Sequence, residues 1–416
     1  MNSKKFLAFT MAAAITLSLA ACGGNGGSAS SAGGSSASAS AGDTTGTASG
    51  NFVKEVVDPT GAAFKIGATG PLTGDASIYG LAAYRGAQIA VNEINSEGGD
   101  IQFELNYQDD QNVPETAVNA FNNLKDWGMQ ISLGSVTTQP GIATSQYNFE
   151  DRIFALTPSA SSPDVIANKD NVFQMCFSDP NQGLASAQYI SEQNLGENVY
   201  IIWKNDDVYS TGIKDQFVAE AEELGLNIVG DSTFTTDTSN DFTVQLTDAQ
   251  QKGADLIFLP MYYQPASLIL TQADSMGYEP KFFGVDGMDG ILTMEGFDAS
   301  LAEGVMLLTP FNADATDDAT VAFVTEYESL YGETPNQFAA DGYDCIYALK
   351  LALETAGCTP DMTAEAINDA LIAAFPTITL TGLTGDGEGI TWDSTGAVSK
   401  APKGMVIENG AYVGMD

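Results

Sequence analysis

Residues 66–99 read IGATGPLTGDASIYGLAAYRGAQIAVNEINSEGG, and the fold turns on how this stretch is organised. It opens inside an apolar, strand-like run, KIGAT at 65–69, and continues into the loop TGPLTGDASIYG. Beyond the loop, Leu81, Tyr84, Ala87, Val91 and Ile94 recur every three or four residues, which puts them on one face of a helix. A buried strand followed by an amphipathic helix is one βα unit, and such units assemble into parallel sheets with helices on both faces.

The pattern repeats along the chain. Strand-like runs follow at FELNYQ (103–108), ISLGS (131–135), RIFALT (152–157), VYIIW (199–203), NIVGDSTF (227–234), DLIFLP (255–260), KFFGVD (281–286) and GVMLLT (304–309), with segments of helical period between most of them. The length is too great for one ordinary core and predicts two domains. The expected fold is therefore α/β with two doubly wound parallel-sheet lobes; a single (β/α)8 barrel is the competing arrangement.

Composition excludes several kinds of chemistry. The 416 residues contain no histidine, so a Ser-His-Asp triad, a histidine-activated cysteine and a histidine-ligated metal are all ruled out within the chain. Lys+Arg total 15 against 54 Asp+Glu, a formal net charge of −39. Such a surface repels phosphate backbones, so nucleic acid is not an expected partner. Neither a phosphate-cradling GxxxxGK[ST] loop nor a calcium-binding D-x-[DN]-x-[DN]-G loop is present. We expect no catalytic residue, no metal and no cofactor.

The N-terminus carries Lys4 and Lys5 ahead of an apolar stretch from Phe6 to Ala21, the layout of an export signal over residues 1–21. Leu19, Ala20, Ala21 and Cys22 resemble the lipobox of bacterial lipoproteins, which implies a diacylglyceryl anchor on Cys22. Two acyl chains hold a protein stably at a membrane, whereas one does so only marginally. Gly23 to Gly50 is almost entirely Gly, Ser, Ala, Thr and Asn and is expected to form a flexible linker, taken as 22–58 with the lipidated cysteine. The expected location is extracytoplasmic, on the outer face of the bacterial cytoplasmic membrane. Past Cys22 remain Cys176, Cys345 and Cys358, for which a Cys345–Cys358 disulfide and buried free thiols are both open.

In open parallel sheets ligands sit at the carboxyl ends of the strands. Those positions here carry TGPLTGDASIYG, SVTTQP, TPSASSP, KNDDVYSTG, PMYYQP and VDGMDG, rich in hydroxyls, tyrosines and, in the last, carboxylates. SVTTQP and TPSASSP place Ser135, Thr137, Thr138, Ser159 and Ser161 at two neighbouring strand ends, the first of them leading into a helix near Pro140. Hydroxyls beside a helix N-terminus are either ordinary caps or donors to an anion, and without lysine or arginine nearby they suit a single carboxylate. Asp286 is either a turn residue between glycines or the counter-group of a ligand cation. Tyr79, Tyr209, Tyr262 and Tyr263 each offer an apolar ring with a polar tip, as a ligand pocket requires.

Taken together, the opening segment with GSVTTQP, ALTPSASSP, DDVYSTG, MYYQPASLILTQA, FFGVDGMD, DGYDCIYALKLALE and GITWDSTGAVSKAPKGMVIENG resembles the leucine/isoleucine/valine-type periplasmic binding proteins, the substrate-binding components of ABC importers. The resemblance implies a type I fold with a three-crossing hinge, expected near residues 176–180, 307–311 and 356–360. It divides the chain into lobe I at 59–177 plus 310–357 and lobe II at 178–309 plus 358–416. By the same resemblance Ser135 and Ser159 with Ser161 bind the α-carboxylate of an amino acid, partly through backbone N–H groups, and Thr137 and Ala160 belong to the expected ligand-binding set. Asp286 binds its ammonium, and Tyr79, Tyr209 and Tyr263 line the pocket. The expected partners are a branched-chain amino acid, a membrane permease and its ATPase, with the protein itself a monomer. The alternatives are an amide, urea or small aromatic acid in the same fold, or a tethered ligand sensor.

Overall fold

The computed structural model describes residues 52–385 and 387–415, so the expected export signal, Cys22 and the expected linker up to residue 51 lie outside the described residues. In chain order the first lobe begins with β1 (Phe64–Gly70), α1 (Ser77–Glu97), β2 (Phe103–Asp109), α2 (Pro114–Trp127), β3 (Ile131–Leu133), α3 (Thr138–Asp151), β4 (Phe154–Thr157) and β5 (Val172–Gln174). These strands form one parallel sheet in the order β2-β1-β3-β4-β5. Helices cover the sheet on both sides, which is why β1, β3 and β4 are buried along almost their whole length.

The chain then crosses into a second lobe through α4 (Asp179–Glu192), β6 (Val199–Lys204), α5 (Val208–Leu224), β7 (Ile228–Phe234), α6 (Thr243–Gln251), β8 (Leu256–Leu259), α7 (Tyr263–Ser275), β9 (Lys281–Gly284) and β10 (Met306–Thr309). It returns to the first lobe for α8 (Asp318–Tyr331), α9 (Gln337–Ala356) and α10 (Ala364–Ala374), and ends in the second with β11 (Lys403–Glu408) and β12 (Ala411–Gly414). The second sheet runs β12-β11-β10-β9-β8-β6-β7, parallel except for the antiparallel pairs that β11 makes with β10 and β12. Two open sheets exclude the single barrel.

Helices α1 and α9 pack tightly enough to bring their backbones together. A Cβ at Gly86 would lie 1.8 Å from the Ala339 carbonyl oxygen, and one at Gly342 would lie 2.2 Å from that of Ala83. Only glycine permits this approach. Its consequence for the site is that the first turns of α1 and α9, carrying Tyr79 and Gln337, reach the second lobe together.

The last crossing differs from the sequence expectation. Residues 358–385 and 387–399 belong to the first lobe, and the chain crosses near Lys400 instead of at 357/358. Gln130 donates to the Pro360 and Met362 carbonyls at 2.9 and 3.0 Å, Asn171 donates to Asn368 at 2.9 Å, and the Trp392 indole donates to the Gln174 carbonyl at 2.8 Å. The Phe375 ring packs against Phe154 and Phe173 at a tilt and meets Trp392 edge-on, so this segment completes the first lobe's core. The expected linker is also shorter at its far end. Residues 52–58 lie on α1, where Asn92 and Asn95 donate to the carbonyls of Glu55 and Val57 at 3.1 and 2.8 Å. Cys176, Cys345 and Cys358 are free and buried, which removes the Cys345–Cys358 disulfide. The short β5 and the terminal pair β11 and β12 were not expected.

Candidate functional site

The carboxyl ends of the two sheets meet across a cleft, and the groups that meet are those of the post-strand segments. Tyr79, in the first turn of α1, donates to the Gly287 carbonyl of the second lobe at 2.5 Å and accepts the Tyr263 backbone N–H at 3.1 Å. Its ring packs on Tyr262, Tyr263 and Phe338, with centroids 4.5 to 5.3 Å away. The Ile78 N–H reaches the Tyr263 hydroxyl at 3.5 Å, and Gln139 donates to the Asp206 carbonyl at 3.1 Å. The lobes are thus in direct polar contact.

Asp286 sits at the centre, 4% exposed. Its Oδ1 accepts from the Tyr209 hydroxyl at 2.5 Å, its N–H donates to Gln182 Oε1 at 3.1 Å, and its carbonyl accepts from Gln337 Nε2 at 3.0 Å. Burial pushes its pKa up to about 6, while Tyr209, Gln182 and the Gly287 N–H pull in the other direction. Asp289, three residues on, accepts the N–H of Gln337 at the start of α9 at 2.9 Å and is also pushed up to about 6 by burial.

The serines stand on the other side of the cleft, with their hydroxyls already engaged by the protein. Ser135 bonds Thr69 Oγ1 at 2.7 Å and Thr144 Oγ1 at 3.2 Å, Ser159 donates to the Val136 carbonyl at 2.6 Å, and Ser161 donates to Asp179 Oδ1 at 2.6 Å. Ala160 is buried, its N–H held by Thr157 Oγ1 at 3.0 Å and its carbonyl by Gln174 at 2.7 Å. The hydroxyls of Thr137 and Thr138, by contrast, are buried and have no partner among the described residues. Thr137 is the N-cap residue of α3 yet makes no side-chain cap bond. The hydroxyls still to be satisfied at this helix start are therefore threonines and not serines.

One hydrogen-bonded chain joins most of these groups. It runs from Ser161 to Asp179, along one turn of α4 to Gln182, and on through Asp286, Tyr209 and Gly287 to Tyr79. Asp179 is fully buried, with its carboxyl raised by burial, and its Oδ2 lacks a partner among the described residues. Asp207, also buried, is raised by burial and pulled back by Lys204. Three buried carboxylates suit a ligand cation, and a helix start with two unpartnered hydroxyls suits a carboxylate. Asp179, Gln182 and Gln337 escaped sequence reasoning. DPNQ at 179–182 looks like any acidic helix start, and Gln337 like any surface residue.

No group of three or more His, Cys, Asp or Glu among the described residues is arranged to hold a metal ion. No described helix is long and apolar enough to cross a membrane.

Comparison with known proteins agrees with this architecture. A family described as periplasmic binding protein matches residues 63–400. A Leu/Ile/Val-binding protein homologue of Brucella melitensis is 26% identical over 84% of this chain and 93% of its own. The branched-chain amino acid transporter substrate-binding protein LivJ of Streptococcus pneumoniae, solved with isoleucine, is 27% identical and superposes with a TM-score of 0.75 over 84% of this chain and 97% of its own. The leucine-binding protein LivK of Thermotoga maritima is 26% identical, with a TM-score of 0.75 over 85% and 98%.

Proposed function

The chain belongs to the periplasmic binding protein family, with the type I fold, and on that premise we propose that it captures a branched-chain amino acid between its lobes and hands it to an ABC permease. The observation that carries this reading is the placement of buried Asp286 in a hydrogen-bonded chain that reaches across the cleft to Tyr79 of the other lobe. In this reading the ammonium binds Asp286, and the carboxylate binds the first N–H groups of α3 with the Thr137 and Thr138 hydroxyls. Tyr79, Tyr209 and Tyr263 cover the aliphatic side chain. A lipid on Cys22, followed by the linker, would keep the capturing lobes near the permease and free to turn. The protein performs no reaction; binding and closure are its work.

The magnitudes are sufficient. Hydrogen bonds to charged groups contribute about 1.5 to 3 kcal/mol each, and burying a leucine-sized side chain contributes about as much. A few of these, less the cost of association and closure, reach the roughly −8 kcal/mol of a micromolar complex. The test is calorimetric titration of protein freed of carried ligand by partial unfolding and refolding, against each L-amino acid. Binding confined to leucine, isoleucine and valine supports the reading, and silence across all amino acids overturns it.

A further inference from the structure

Strand β1 enters its sheet at Phe64, on the side away from the cleft, because the carboxyl ends of the strands face the cleft. A chain that ran straight on from Phe64 towards its N-terminus would leave the first lobe at that far end. Residues 52–60 instead turn there and run back along α1. The Thr60 N–H donates to Gln102 Oε1 at 2.6 Å, just before β2. The Val57 N–H donates to Asn92 Oδ1 at 2.9 Å, and its carbonyl accepts from Asn95 Nδ2 at 2.8 Å. The Glu55 carbonyl accepts from Asn92 Nδ2 at 3.1 Å, and the Phe52 carbonyl from Arg85 Nε at 3.2 Å.

The partners climb α1 in order, from Asn95 through Asn92 to Arg85, so the segment runs antiparallel to the helix and towards the cleft. The ten helical residues from Asn95 to Arg85 cover about 15 Å, and the five extended residues from Val57 to Phe52 about 17 Å. The lengths match a fully drawn-out strap. Lys54, Glu55 and Val56 are exposed, so burial alone does not fix this route; a row of α1 side chains given over to the strap's backbone does. Gln88 steadies Asn92 at 2.9 Å, and Arg85 is held by its ion pair with Glu333 and by the Tyr331 ring, 4.5 Å away. Arg85 also marks where the strap ends. It lines a cavity of about 340 Å³ with Ile78 and Leu81 of its own helix and with Thr293 and Met294 of the second lobe. Phe52 is therefore delivered to the seam between the lobes.

We propose that residues 52–58 are an orienting strap, which moves the attachment point of the membrane tether from the far end of the first lobe to the seam and so turns the mouth of the cleft towards the membrane and a protein partner embedded in it. This rests on the lipid on Cys22 given above. A tether acts from the point where it is attached, so a shift of about 15 Å changes which end of the lobe meets the membrane more often and raises the effective concentration of the cleft mouth there.

The test uses the full lipidated chain on phosphatidylcholine vesicles whose headgroups carry an energy-transfer acceptor. A donor dye is attached through Asp75→Cys, at the cleft end of α1, or through Asp100→Cys, at its far end. Both positions are exposed, while Cys176, Cys345 and Cys358 are buried. Stronger transfer is expected from position 75 than from position 100. Replacing residues 52–57 by a Gly/Ser hexapeptide keeps the chain length and should abolish or reverse that difference, and Asn92→Ala, which removes two of the strap's bonds, should reduce it. Equal transfer from the two positions with the strap intact, or a difference that survives both variants, overturns the proposal. A chain beginning at Gly23 tests the anchor separately and should not join the vesicles. If it joins them as the full chain does, the anchor falls, and the strap's role with it.

Discussion

The Tyr209 hydroxyl donates to Asp286 Oδ1 at 2.5 Å and accepts the Gly287 N–H at 3.0 Å, so a single phenol orients the buried carboxylate and the backbone beside it. Tyr209→Phe keeps the ring against Tyr262 and removes both bonds. Hydrogen bonds to charged groups are worth about 1.5 to 3 kcal/mol, which predicts about a 10- to 100-fold loss of amino-acid affinity in calorimetry near pH 7.5. Unchanged affinity would mean that Asp286 does not touch the ligand's ammonium.

Binding should depend on pH through Asp286. Burial raises its pKa to about 6, so the unliganded lobes hold this proton more tightly than an unfolded chain does. Its own contribution to folding stability is therefore fully present below about pH 4 and is lost as pH rises through about 6. A bound ammonium acts in the opposite sense, because it favours the ionised carboxylate. Affinity should fall as pH drops below about 6, approaching a tenfold loss per unit. Asp289, also at about 6, titrates in the same window and holds the start of α9, so closure should weaken there too. Proton release on binding, read from calorimetry in buffers of different ionisation enthalpy, checks this, and Asp286→Asn should flatten much of the profile.

The α1 and α9 crossing should tolerate no side chain. Gly342→Ala puts a methyl 2.2 Å from the Ala83 carbonyl oxygen and forces the helices apart. Overpacking of this kind costs about 1 to 3 kcal/mol, measurable by chemical denaturation. The shift should also reach the cleft, because α1 carries Tyr79 and α9 carries Gln337. A weaker affinity in a variant that still folds would show that this coupling is real.

Much of this was legible in the sequence, because buried parallel strands and amphipathic helices announce themselves by composition and period. Every strand-like run from KIGAT to GVMLLT became a strand. The misses share a cause: they depend on partners distant in sequence. Residues 358–399 carry no sign of which lobe they complete until Phe375 meets Phe154 and Phe173. At the site, the residue types around Asp286 were readable, but not which hydroxyls the protein would use for itself. Ser135 is spent on Thr69 and Thr144, while Thr137 is not spent at all. Asp179 was hidden in an ordinary helix start, and only its burial and its bond to Ser161 mark it.

The third crossing is fixed by an ion pair whose removal should be felt throughout the molecule. Lys400 Nζ lies 2.7 Å from Asp341 Oδ1, with the side chains 1% and 3% exposed. Even so, burial holds the Asp341 pKa up at about 7, against the pull of the lysine. Lys400→Met leaves that carboxyl buried without its cation. Breaking one side of a buried pair costs about 3 to 5 kcal/mol. The loss should depend on pH, because without lysine the Asp341 pKa rises further and a neutral acid is tolerated where a carboxylate is not. Its stability is present below about pH 4 and is lost progressively as pH rises through and beyond about 7. Denaturation at pH 5 and pH 8 should therefore show the larger deficit at pH 8, and adding Asp341→Leu to Lys400→Met should recover a substantial part of it. An equal deficit at both pH values would mean that Lys400 acts through its packing and not through its charge.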